Sequence, residues 1–313
     1  MKKWILTLGV TSLLWSISSV GWTEEKELKG TVTLSGAWAI YPTAVAWAEV
    51  FQKAHPKVRI DVSAGGAGKG AADAIVGLVD IGMVSRDPDP AEFKKGIVPI
   101  YILNDAVFPV VSGRNPVLQD LLRKGVKKET LAGIYMTGVI KNWDQVVGRN
   151  MGKPIHVYTR SDSSGAGASW AKYLGNKKQE DLRGVGVYGD PGLLEAARRD
   201  PVGISYVNFS YAFIKEEPVV AGAKLVPIDW NENGTADSDE IFESRKAASQ
   251  AIESGRYPAR RSNYFFVKGK PKGLVKEFIV FVLSDEGARI VEEVGTSLPL
   301  PKSEREKVLK GLD

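Results

Sequence analysis

The chain has 313 residues, 43% of them hydrophobic and 25% charged, with 33 Gly, 16 Pro, no Cys and a formal charge of +5 at pH 7. This is ordinary for a folded soluble chain with room for two domains of ~100–200 residues, and wrong for a disordered, collagen-like or polytopic membrane protein. The lack of Cys excludes disulfides, thiolate metal sites, cysteine nucleophiles and a lipobox cysteine, and His55 and His156 alone leave little for zinc or acid–base chemistry.

Lys2 and Lys3 precede a mostly apolar run from Trp4 to Val20 that ends in small residues, with charge returning at Glu24. The pattern predicts a secretory signal over 1–22 and a periplasmic address, with an uncleaved anchor as the alternative. Removing it leaves 40 basic against 37 acidic residues, a charge of +3 that gives no reason to expect nucleic acid.

Thr31 to Leu34 reads as a strand, and an amphipathic helix is predicted from Pro42 to Ala54, stopped by His55-Pro56. A strand at Val58–Val62, a small-residue loop from Ser63 to Gly70, a helix from Ala71 to Leu78 and a strand from Ile81 follow. Two strand-like runs, Val98–Leu103 and Val107–Val111, lead to a loop and a crossing into a second domain. There Ile155–Thr159 is a strand, Arg160 to Gly167 a loop and Ala168 to Leu174 a helix, with further strands at Ile204–Val207 and Leu225–Ile228. Tyr264–Val267 returns the chain to the first domain, where Leu274–Leu283 and Glu286–Val294 are helices. The expected fold is α/β with two lobes and a two-stranded hinge: 23–110 with 265–313, and 111–264.

Ser35-Gly36-Ala37, the Ser63 loop, Ser85-Arg86 and the Arg160 loop each follow a strand, and at least three open a helix. Free N–H groups and the positive dipole end at a helix start bind oxyanions, and small residues let the ion reach the backbone. Arg86 and Arg160 would add charge, Ser35, Ser63, Ser85 and Ser164 hydroxyls, and Asp162 an acceptor for a protonated oxyanion. Gly-rich turns are also the usual punctuation of α/β folds, and Asp162 could simply cap a helix. The Lys69 segment fails the Walker pattern, since no Ser or Thr follows the Lys.

The segments Ser35 to Pro42, Asp80 to Arg86, Ile140-Lys141-Asn142-Trp143, Arg160-Ser161-Asp162-Ser163-Ser164-Gly165 and Gly203-Ile204-Ser205-Tyr206 resemble the periplasmic phosphate-binding proteins of ABC transporters, in order along nearly the whole mature chain. The resemblance implies a Venus-flytrap periplasmic binding protein fold, a monomeric non-enzymatic receptor closing on phosphate or a related oxyanion, and delivery to a permease in the inner membrane; a secreted phosphate-sensing or adhesion protein that keeps the fold without a permease partner is the alternative. The resemblance implies phosphate contacts from Arg160, Asp162, Ser164 and Gly165 in one lobe, and from the backbone around Ile40 and Tyr41 and the Ser63 loop in the other. Together with the strand-end loops, the candidate site is Ser35, Gly36, Ala37, Trp38, Ile40, Tyr41, Ser63, Gly65, Gly66, Ser85 and Arg86 opposite Arg160, Asp162, Ser164, Gly165 and Ala166. Ile40 and Ala166 replace hydroxyl residues common in the family, and Ser85-Arg86 stands where many relatives have an aspartate. The second lobe could instead carry a phosphatase nucleophile at Ser164, but no His is placed to activate it and no G-x-S-x-G elbow is present.

Residues 229–240 fit D-x-[DN]-x-[DN]-G-x5-E. Asp229, Asn231, Asn233, Asp237 and Glu240 would offer side-chain oxygens and Thr235 a carbonyl to a structural Ca2+, with no cofactor needed for function. A strand before the loop and Ala236 within it argue against a complete EF-hand pair, and an acidic solvent loop rich in Asx turns is the alternative. A helix is expected from Glu240 to Ser254.

Overall fold

Strand and helix alternate through the chain, and the strands assemble along one path shared by two lobes. The computed structural model describes residues 27–214, 217–218 and 221–312, so the expected signal over 1–22 lies outside the described residues. The first lobe opens with β1 (Gly30–Gly36), α1 (Tyr41–Ala54), β2 (Val58–Ala64), α2 (Ala67–Val76), β3 (Ile81–Val84) and α3 (Pro90–Lys94), and β4 (Ile97–Ser112) leaves it. The second holds α4 (Leu118–Lys124), α5 (Lys128–Ala132), α6 (Trp143–Val147), β5 (His156–Arg160), α7 (Gly165–Gly175), β6 (Val185–Val187), α8 (Gly189–Arg199) and β7 (Gly203–Asn208). It continues through α9 (Phe209–Ala212), the pair β8 (Phe213–Ile214) and β9 (Glu217–Pro218), β10 (Ala223–Leu225) and α10 (Arg245–Glu253). β11 (Arg260–Lys268) returns, followed by α11 (Gly273–Val282), α12 (Asp285–Val294), β12 (Leu298–Pro299) and α13 (Lys302–Lys310).

The strand order is β2-β1-β3-β11-β4-β7-β5-β6, with β10 and β12 also on β4. β1 runs parallel to β2 and β3, and β5 parallel to β6 and β7, so in each lobe the carboxyl ends of these strands gather at one edge. Between the lobes β4 and β11 pair antiparallel from Ala106–Arg260 to Ile97–Lys268, with a bulge between Asn263 and Tyr264. β12 adds a third strand at this waist through Leu298 and Pro299.

The apolar residues divide into two cores. One holds Trp47, Phe51, Leu103, Phe265 and Phe278; the other holds Ala106, Phe108, Trp143, Trp170, Tyr257 and Ala259. The outward crossing therefore lies between Leu103 and Ala106, earlier than the loop after Val111, because Val107 to Val111 already pack in the second core. The two expected strands are one, since Asp105, in the gap between them, is buried and satisfied by the Ala106 and Phe209 N–H groups and by Arg261.

Three helix bounds also differ from expectation. α2 begins at Ala67 and α7 at Gly165, so the Gly-rich loops are the first helical turns. Ser164 makes this possible for α7, its Oγ accepting from the Ala166 and Gly167 N–H groups at 3.1 and 3.2 Å. The third helix, α10, begins only at Arg245, capped by Ser244. The strand expected to run to Ile228 ends at Leu225; Ile228 keeps only an isolated bridge to Val126. Among the described residues no helix is long and apolar enough to cross a membrane.

Candidate functional site

The first-lobe edge is built from small residues because its parts nearly touch. Gly36 has φ +133°, and a Cβ there would lie 2.3 Å from the Met83 carbonyl oxygen and 2.8 Å from the Gly70 Cα. Gly65 and Gly66 both donate N–H to the Gly36 carbonyl, and Ala37 donates to Met83. Several side chains expected to face an anion are committed elsewhere. Ser35 donates to Asp73 at 2.6 Å, Ser63 to the Leu34 carbonyl, and the Ile40 and Tyr41 N–H groups to the Ala37 carbonyl. Arg86 makes a bidentate pair with Glu92 at 3.1 and 2.6 Å.

The second-lobe edge centres on Arg160, whose side chain is 1% exposed. Its Nε and Nη2 donate to the two Asp162 oxygens at 2.8 and 2.5 Å, and its Nη1 donates to Asp190. Burial opposes its charge, but Asp190 and Asp162 outweigh that and hold the guanidinium charged. Burial pushes the Asp190 carboxyl up, with Arg160 pulling it back. Asp162 also accepts from the Gly189 N–H, so both of its oxygens are occupied. Gln179, missed in the sequence, accepts from the Ser164 N–H and donates to the Asp162 carbonyl, holding the loop. Asp190 was missed as well; its signal was Gly189-Asp190-Pro191-Gly192 opening a helix after a strand. One arginine between two carboxylates is net negative, so this cluster alone does not attract an anion, and the positive dipole ends of α1, α2, α7 and α8 add to what it offers.

The two edges meet. The Gly68 N–H donates to the Ser163 carbonyl at 3.0 Å, and a Cβ on Gly66 would strike the Ser163 carbonyl and the Asp162 carboxylate at 2.5 and 2.7 Å. Ser85 abuts Gly165. Trp38 lies edge-on to Tyr188, ring centroids 6.1 Å apart. The lobes are therefore closed on one another, with Gly66, Ser85 and Trp38 facing Asp162, Gly165 and Gly189. Lys172 pairs with Asp87 across the seam. Both are more than half exposed, and such pairs contribute at most about 1 kcal/mol. Lys172→Ala is thus expected to speed ligand release by no more than about fivefold in stopped flow, with the difference vanishing at high salt.

His55 packs on Phe51 and His156 pairs with Asp200 at 2.7 Å, while the Ser164 Oγ accepts from the Ala166 and Gly167 N–H groups. Trp47, Trp143 and Trp170 are fully buried core residues.

The 229–240 loop is folded around its own polar groups. Asp229 accepts from the Asn233 and Gly234 N–H groups at 3.1 and 2.9 Å, and Asn231 and Asn233 form Asx turns. Gly234 and Glu232 have φ of +82° and +61°. Glu240 accepts from the Trp230 and Asp237 N–H groups, and burial pushes its carboxyl up, Asp229 adding to the effect. Among the described residues no three carboxylates or imidazoles are gathered closely enough to grip a metal ion.

The family model described as a PBP superfamily domain matches residues 23–286. The phosphate-binding protein PstS of Bacillus subtilis is 29% identical over 264 residues, covering 84% of this chain and 78% of that protein. Protein SphX of Synechococcus elongatus is 28% identical over 290 residues, covering 89% and 80%. A crystal structure with bound phosphate from Clostridium perfringens is similar with a TM-score of 0.72 at 26% identity, covering 87% of this chain and 100% of that one.

Proposed function

The chain belongs to the PBP superfamily, and from that membership we propose that it captures inorganic phosphate between its lobes and passes it to the permease of an ABC transporter. The observation that carries the reading is the segment from Arg160 to Gly165, which brings a buried guanidinium, a capping serine and a helix start to the seam where the lobes meet. The relatives named for phosphate binding support the ion. A related oxyanion is the second reading, favoured by Ile40 and Ala166, which offer no hydroxyl. The protein acts in the periplasm as a monomer and catalyses nothing.

Phosphate is expected to raise the melting temperature of the mature protein. Ligand at about 100 times Kd adds ~2.7 kcal/mol to the folded state. Stabilisation by phosphate supports the reading, and stabilisation by another oxyanion alone moves it to that ion.

We also propose a structural calcium ion in the 229–240 loop. The motif and the positive φ values of Glu232 and Gly234 support it. Loading requires Glu240 to exchange its two backbone N–H partners for the ion. A chelator should then lower the melting temperature and calcium restore it; indifference to both leaves the solvent-loop reading.

A further inference from the structure

Buried polar groups nearly always find partners, yet three residues near the hinge leave atoms without any. Asn263 is 0% exposed with both amide atoms unpaired, Arg261 leaves Nη1 unpaired, and Asp190, 1% exposed, leaves Oδ1 unpaired.

Their positions are linked. β11 pairs with β3 on one side, Tyr264 opposite Val84, so Asn263 stands beside the end of β3 that leads into Ser85. Arg261 lies two residues back, on the same face of the strand. It reaches the second lobe, Nε and Nη2 donating to Asp105 at 2.9 and 2.6 Å and Nη2 also to Asn208. Asn208 ends β7, and the parallel register of Val157 with Ile204 sets Arg160 level with Val207. Asp190 holds Arg160 and also lies within electrostatic reach of Arg261. The hinge strand thus runs along the floor between the two edges already described.

We propose that this floor binds the ligand directly: Asn263 and Arg261 Nη1 donate to oxygens of a tetrahedral oxyanion, while Asp190 Oδ1 accepts from its hydroxyl. The assignment rests on reading the cleft as a phosphate site. It also specifies the class of ion within that reading. An oxyanion with acceptor oxygens alone answers the donors but not Asp190, whereas one protonated oxygen answers both, accepting from Arg261 and donating to Asp190. Because the contacts come from the strand about which the lobes close, occupancy is tied to the hinge.

Asn263→Leu tests this, since leucine has a similar size and removes the unpaired amide. The variant is expected to melt at a higher temperature than the parent without phosphate and to bind phosphate about tenfold more weakly by calorimetry. Parental affinity in a folded variant overturns the inference and leaves the phosphate reading standing. Failure of the parent itself to bind phosphate overturns both. If the leucine variant does not fold, Asn263→Ala is measured for the same loss of affinity, and parental affinity there is equally fatal.

Discussion

Replacing Arg160 by alanine is expected to weaken phosphate binding by about two to three orders of magnitude. Breaking a buried charge set costs about 3–5 kcal/mol, because the groups left behind are buried and unpaired. Here Asp162 and Asp190 would face each other and the incoming anion without the guanidinium that now separates them. The same change should lower the melting temperature, and far-UV circular dichroism with the unliganded melting curve separates unfolding from loss of the ion. Arg160→Lys is the companion variant: it keeps the charge but not the fork that reaches Asp162 and Asp190 together, and should recover only part of the affinity. Normal binding by folded Arg160→Ala would place the site elsewhere.

Gly165→Ala should weaken phosphate binding about ten- to hundredfold while leaving the unliganded protein as stable as before or slightly more so. A Cβ at this position would sit 2.4 Å from the Ser85 carbonyl oxygen and 2.2 Å from its Oγ, both in the other lobe. Within its own lobe alanine suits the first turn of α7, where glycine carries only an entropic cost. The clash therefore belongs to the closed state alone. Small-angle scattering of the variant with saturating phosphate should show it more open than the parent. A variant that binds and compacts like the parent would contradict the seam drawn between Ser85 and Gly165.

Much of this architecture was legible in the sequence because its cues are local. Strand, Gly-rich loop and helix repeat on both sides of the hinge, and Arg160 to Gly165 carries its own capping serine. What escaped depends on contacts far apart in the chain. Val98–Leu103 and Val107–Val111 read as two strands, and become one only because Arg261, 156 residues from Asp105, pairs with that carboxylate in the gap between them. Ser35 and Ser63 read as anion donors until Asp73 and the Leu34 carbonyl take their hydroxyls. Asp162 reads as a free acceptor until Arg160 occupies both its oxygens, which leaves the open carboxylate oxygen to Asp190. Spacing cannot reveal which polar groups are spent within the protein and which are left for a ligand.

The central claim is that the closed seam between Arg160 and the first-lobe loops holds a phosphate ion. Calorimetric titration of the mature protein with phosphate, with sulfate, molybdate, tungstate and phosphonate as comparators, tests it most directly. The account predicts saturable one-to-one phosphate binding in preference to sulfate, whereas no heat with phosphate under conditions where another of these ions binds would contradict it.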